Sequence, residues 1–150
     1  MSLCPISFQQ KRRTKGRSLK HLVMKVTGIT VELMVMDVDS SVEFYRDVLG
    51  FHLLAREDDD GKSYWAKMEL NGFSLSFKAE DRMKSEVAFM REQSIGGSTA
   101  LCFQVEDLEG YHGKVETQCE MLNLPHPTPC GATQFSMKDN SGYILTFERF

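Results

Sequence analysis

The chain has 150 residues, 41% of them apolar, with a formal net charge of −3. That is the size of one domain. No apolar run reaches the ~18 residues a helix needs to cross a membrane. Cys4, Cys102, Cys119 and Cys130 form no Cys-x-x-Cys pair and no zinc-finger spacing, so they read as reduced thiols of a cytoplasmic protein.

Charge is unevenly placed. Residues 1–25 hold seven lysines and arginines and no acid, so the remainder is acidic. Such an arm fits contact with nucleic acid or another acidic surface. It also fits a transit peptide, which is basic and hydroxyl-bearing, or extra sequence upstream of an internal start at Met24. The last reading is preferred, and nucleic acid is not expected as a partner.

Val31, Leu33 and Val35 alternate with Thr30, Glu32, Met34 and Met36, which predicts a strand over about 28–36 with one dry face. Ser40 and Glu43 have the spacing of a capping box. Val42, Phe44, Tyr45, Val48 and Leu49 then give a helix over about 40–49 its apolar side, and Gly50 ends it. A second strand covers Phe51 to Asp58. Asp60-Gly61 is a hairpin signal. The acid run before it lacks the alternating ligands of a calcium loop, so it reads as a solvated turn. Strand three is Ser63 to Leu70, Asn71-Gly72 is a two-residue turn, and strand four is Phe73 to Lys78. Met83, Val87 and Met90 sit at helical spacing in the segment that follows.

A second copy comes next. Leu101, Phe103, Val105 and Asp107 lie 70 positions after Val31, Leu33, Val35 and Asp37. Gly142 to Phe147 lies 70 positions after Gly72 to Phe77. A shared offset at both ends marks two similar half-units, too long in period for a solenoid. Strand five is Thr99 to Val105. A helix over about 108–120 contains Gly110 and Gly113, each costing about 1 kcal/mol relative to alanine. Pro125, Pro127 and Pro129 permit only an edge strand or loop. The last two strands are about 133–138 and 143–150.

The turn at Asn71-Gly72 also fixes register. It sets Trp65 against Lys78, Lys67 against Ser76 and Glu69 against Ser74, with Ala66, Met68, Leu75 and Phe77 on the dry face. The mixed face then carries Glu32, Met34, Trp65, Lys67, Glu69, Ser74, Ser76 and Lys78. The second unit adds Cys102, Gln104, Thr146 and Glu148. A concave face with one tryptophan and a few charges suits a small-molecule pocket; a plainly solvated sheet face is the alternative.

The run from Asp37 to Gly50, with Ser-x-x-Glu-Phe-Tyr and Val-Leu-Gly-Phe51, resembles the first helix of the glyoxalase/bleomycin-resistance/dioxygenase superfamily, or vicinal oxygen chelate proteins. Residues 138–143, Lys-Asp-Asn-Ser-Gly-Tyr, resemble that family's closing turn. The resemblance implies an α+β fold in which two βαβββ modules form a curved mixed sheet around a cavity. The implied division is a basic extension 1–25 and a domain 26–150, with modules about 26–80 and 98–150 joined by a linker 81–97.

Metal-using members place histidine or glutamate ligands at positions that fall here on Thr30, Ser76, Ala100 and Thr146. Alanine has no donor atom, and neutral hydroxyls are weak ligands for a divalent transition metal. No metal and no other cofactor is therefore expected. His21, His52, His112 and His126 lie away from these positions, and no Ser-His-Asp or Cys-His arrangement can be built. The resemblance implies a metal-free binding protein of the bleomycin-resistance kind, acting as a homodimer on a small-molecule ligand. The expected ligand-binding set is Glu32, Met34, Trp65, Lys67, Glu69, Ser76, Lys78, Cys102, Gln104, Thr146 and Glu148. In it Trp65 stacks, the three acids attract cationic groups and the two lysines orient a carboxylate or phosphate. The acidic body favours cations at long range. The rival is a glyoxalase-like lyase, isomerase or dioxygenase with relocated or no metal ligands, using Glu32 or Glu148 as base.

Overall fold

The computed structural model describes residues 25–150. The basic arm of residues 1–24, including Cys4, His21 and the Met24 start, lies outside them. Two βαβββ-like modules follow one another. The first comprises β1 (Thr30–Val35), α1 (Val38–Asp47), β2 (His52–Asp59), β3 (Lys62–Leu70) and β4 (Phe73–Ala79). The second comprises β5 (Ala100–Gln104), α3 (Leu108–Val115), β6 (His126–Pro127), β7 (Thr133–Lys138) and β8 (Ile144–Arg149). Between them lie α2 (Glu80–Glu86) and a 3₁₀ turn, Ala88–Glu92. Val87 interrupts this linking segment in extended conformation (φ −119°, ψ 102°), so the expected single helical stripe of Met83, Val87 and Met90 is broken in two. No helix among the described residues is long and apolar enough to cross a membrane.

The strands make two separate four-stranded sheets, ordered β1-β4-β3-β2 and β5-β8-β7-β6. This corrects the expectation of one curved mixed sheet around a cavity. Within each sheet the first strand runs parallel to the last of its module and the other pairs are antiparallel. Among the described residues β1 and β5 are edge strands, and no ladder joins them. Side chains make the join instead. Tyr143, at the head of β8, donates its hydroxyl to the Met34 carbonyl of β1 at 2.8 Å. Alternation and repeat length report which face of each strand is dry, but not whether two edges will hydrogen-bond.

The dry faces and the helices share one core. Ala66, Met68, Leu75 and Phe77 from the first sheet and Phe135, Met137, Leu145 and Phe147 from the second are all buried within it. α1 contributes Val38, Val42 and Tyr45, a stripe at helical spacing, and Leu49 follows just beyond its end. The Tyr45 ring lies 4.8 Å from that of Phe77 and 5.5 Å from that of Phe51. On the other side, Tyr111 of α3 stacks on Phe147 at 5.4 Å.

α1 starts two residues earlier than its sequence suggests. Asp37, not Ser40, is the cap: its carboxylate accepts from the Ser40 backbone N–H at 2.9 Å, and an anion here also complements the helix dipole. Gly50 takes a left-handed φ of 83° and donates to the Arg46 carbonyl, which closes the helix. Both hairpin turns are of the type expected, with positive φ at Asp60 and Gly61 and at Asn71 and Gly72. α3 stops at Val115, five residues short of the expected 120.

Candidate functional site

The observed register places the first sheet's polar side chains in rows. Glu32, Ser76 and Lys67 are successive cross-strand partners, as are Met34, Lys78 and Trp65. Glu69 pairs with Ser74. All seven first-module members of the expected set therefore share one face. On the second sheet Cys102, Thr146 and Ser136 form one row, and Gln104, Glu148 and Gln134 another. Among the described residues no hydrogen bond or ion pair joins one set to the other.

Several of these side chains already have partners within the fold. Glu32 Oε1 accepts from Trp65 Nε1 at 3.0 Å and from Ser76 Oγ at 3.1 Å. Trp65 is thereby pinned by its polar edge, as a half-buried indole usually is. Glu69 accepts from the Gly72 backbone N–H and braces the β3–β4 turn. Lys78 pairs with Glu86 of α2. That helix also covers the Met34 end of the face: Met34 is 2% exposed and Met83 of α2 6% exposed. Met34 is thus a packing residue here, because the linking segment folds back over a face that the strand pattern leaves open. On the second sheet Thr146 Oγ1 lies 2.9 Å from Ser136 Oγ, and Gln104 donates weakly to Glu148 at 3.5 Å.

The four positions where metal-using members carry ligands can be tested on this geometry. Thr30 and Ala100 are exposed, and Ala100 offers no donor. The Ser76 hydroxyl is spent on Glu32 and that of Thr146 on Ser136. Among the described residues no group of three or more His, Cys, Asp and Glu side chains is arranged to hold a metal ion. These residues do not fit a divalent transition metal, whose affinity depends on imidazole, carboxylate or thiolate donors.

Two grooves lie on the first module. The larger, about 620 Å³, is lined by residues 27–30 at the start of β1, residues 72–74 at the start of β4, and Lys67 of β3. Only Lys67 of the expected set lines it. Thr30 belongs to the strand pattern and pairs with Ser74 at the start of β4, whereas residues 27–29 ahead of it carry no motif that marks them as a wall. The smaller groove, about 200 Å³, is lined by charged side chains including Asp59, Lys62, Asp81 and Arg82. Two of its charges are paired: Arg82 bridges to Asp59 and lies 4.6 Å over the Tyr64 ring. Nearby, Ser63 Oγ lies 2.5 Å from Asp39 Oδ1 and 2.7 Å from Asp58 Oδ1, with Arg56 beside both carboxylates. The acid run is therefore partly fastened to α1 rather than merely solvated.

Among the cysteines, burial raises the Cys119 thiol. The Thr128 hydroxyl, followed by the backbone at Ala132, lowers that of exposed Cys130.

Comparison with known proteins agrees with this architecture. Among solved structures, a glyoxalase/bleomycin resistance protein/dioxygenase from Nocardioides superimposes with a TM-score of 0.72 at 18% identity, over 87% of each chain. TnmS3, an antibiotic binding protein from Streptomyces sp. CB03234, gives 0.65 at 19% identity, covering 86% of this chain and 98% of that one. A lactoylglutathione lyase from Agrobacterium tumefaciens gives 0.65 at 18% identity, covering 83% and 95%. At these identities the likeness is one of fold. No match was found among curated proteins. The family model for the Glyoxalase/Bleomycin resistance protein/Dioxygenase superfamily matches residues 19–147, and with two βαβββ-like modules in place the chain belongs to that superfamily.

Proposed function

We propose that the protein binds and sequesters a small molecule without a metal and without making or breaking a bond, as bleomycin-resistance proteins do. One observation carries this reading. The positions that would have to supply metal ligands hold an alanine and three neutral hydroxyls, two of them already hydrogen-bonded within the fold. Without a Lewis acid, the metal-dependent reactions of the family lose their means of stabilising developing charge. The fold shared with an antibiotic binding protein, TnmS3, is consistent with binding as an end in itself. A homodimer in the cytoplasm, with the second copy closing the open side of the groove, belongs to the same proposal. Nucleic acid has no part in it, and the division into a basic arm and a domain from residue 26 is retained.

The fold is shared equally with a lactoylglutathione lyase, so a lyase or isomerase is the second reading. It would need Glu32 or Glu148 as a base. The Glu32 carboxylate is held in place by hydrogen bonds from Trp65 Nε1 and Ser76 Oγ.

Metal analysis of protein purified without chelator separates the two, together with thermal shifts in Zn²⁺, Ni²⁺ and Mn²⁺. The expected result is no stoichiometric metal and no stabilisation. One tightly bound ion per chain would overturn the proposal.

A further inference from the structure

We infer that the groove over β3 and β4 selects organic anions: small molecules that carry a carboxylate, sulfonate or phosphate on an apolar frame. This deepens the small-molecule-binding proposal above and rests on it.

Most polar side chains on the mixed face of the first sheet already have a partner. The two acids on that face accept from neutral donors and keep their charge, Glu32 from Trp65 and Ser76 and Glu69 from the Gly72 N–H, but neither lines the groove. Lys78 is paired with Glu86. Lys67 is different. It has no ion pair and no side-chain hydrogen bond among the described residues, although it is half-buried. Its directly opposed neighbours are Ser76 on β4 and Ala55 on β2, both uncharged.

The groove wall repeats the asymmetry. Among the described residues its lining contains no carboxylate, and Lys67 is the one ionisable side chain there. Thr27, Thr30 and Ser74 add hydroxyls that can donate to an anion's oxygens. At the rim, Ile29 is 84% and Phe73 75% exposed. Large apolar groups held in water beside a single ammonium suit a ligand with an acid at one end and an apolar body at the other. The acidic composition of the whole chain points to cations, but that long-range field is screened within about 8–10 Å at ordinary salt, whereas Lys67 meets the ligand directly.

Isothermal titration with three probes of one shape tests this: naphthalene-2-carboxylate, naphthalene-2-carboxamide and 2-naphthylmethylammonium. The carboxylate should bind at least about tenfold more tightly than the amide, the increment of one charge-assisted hydrogen bond, and the ammonium most weakly. Lys67→Gln should abolish the difference between carboxylate and amide while leaving amide binding unchanged. Phe73→Ser should weaken both probes alike. An unchanged melting temperature in each variant shows that the fold is kept. The inference is overturned if the ammonium binds as well as the carboxylate, if Lys67→Gln keeps the preference, or if the carboxylate fails to bind at millimolar concentration. Bound metal or chemical turnover of a ligand would sink sequestration and leave the anion preference standing, so the two failures are distinct.

Discussion

Tyr45 shows how a single side chain can fasten the two halves. Its ring is fully buried in the shared core, and its hydroxyl donates to Asp139 Oδ2 at 2.9 Å. Asp139 sits in the turn between β7 and β8, where its other oxygen accepts from the backbone N–H groups of Ser141 and Tyr143. Tyr45→Phe should cost about 1–3 kcal/mol in urea denaturation, the range for losing a buried hydrogen bond to a charged acceptor. Burial first, then the charge of Asp139 and the hydrogen bond to it, hold the Tyr45 phenol well above its ordinary value of 10.0. The folded state therefore keeps a proton that the unfolded chain releases. Stability from this group is whole below pH 10 and is lost as pH rises beyond it. Denaturation midpoints from pH 8 to 11 should fall more steeply for the parent than for Tyr45→Phe; parallel slopes would show that Tyr45 is not the group responsible.

At the scale of elements, α3 is the informative case. The sequence marks its glycines as weak points, and the helix is indeed short. Gly110, however, is also needed for the cap. Asp107 accepts from the Gly110 N–H at 2.9 Å, and a Cβ on Gly110 would lie 2.0 Å from Asp107 Oδ2. Gly110→Ala should gain up to about 1 kcal/mol of helix propensity and lose about 1 kcal/mol of capping, for no net gain. With Asp107→Ala already present, the same substitution should become stabilising. A double-mutant cycle measures this directly; equal effects in the two backgrounds would show that the carboxylate does not compete for the space. β2 illustrates a different economy. Every residue in it is exposed, including Leu53 and Leu54. Two register shifts and the charged run Arg56-Glu57-Asp58-Asp59 disrupt it as a template for another strand.

For the whole molecule, the repeat at an offset of 70 was legible because a strand's dry face and a turn's glycine leave period-2 and positional marks that survive in any context. The β3–β4 register followed in the same way from Asn71-Gly72. What stayed hidden depends on contacts between distant segments. The burial of Met34 needs α2 to fold back, the pinning of Trp65 needs the Glu32 rotamer, and the separation of the sheets turns on edges that no periodicity describes. The candidate groove was half legible: Lys67, Ser74 and Thr30 follow from register and alternation, but residues 27–29 of its wall have no pattern to read.

The core draws on both sheets, yet no ladder runs between them, and the stretch that links the modules is short and mostly exposed around Ala88–Glu92. Scission there should leave each half with a complete set of backbone pairings but an uncovered oily surface. Co-expressed fragments 25–88 and 93–150 should reassociate and co-purify, while either alone should precipitate. Fragments that stay apart would mean that covalent continuity, rather than the joint interior, keeps the halves together.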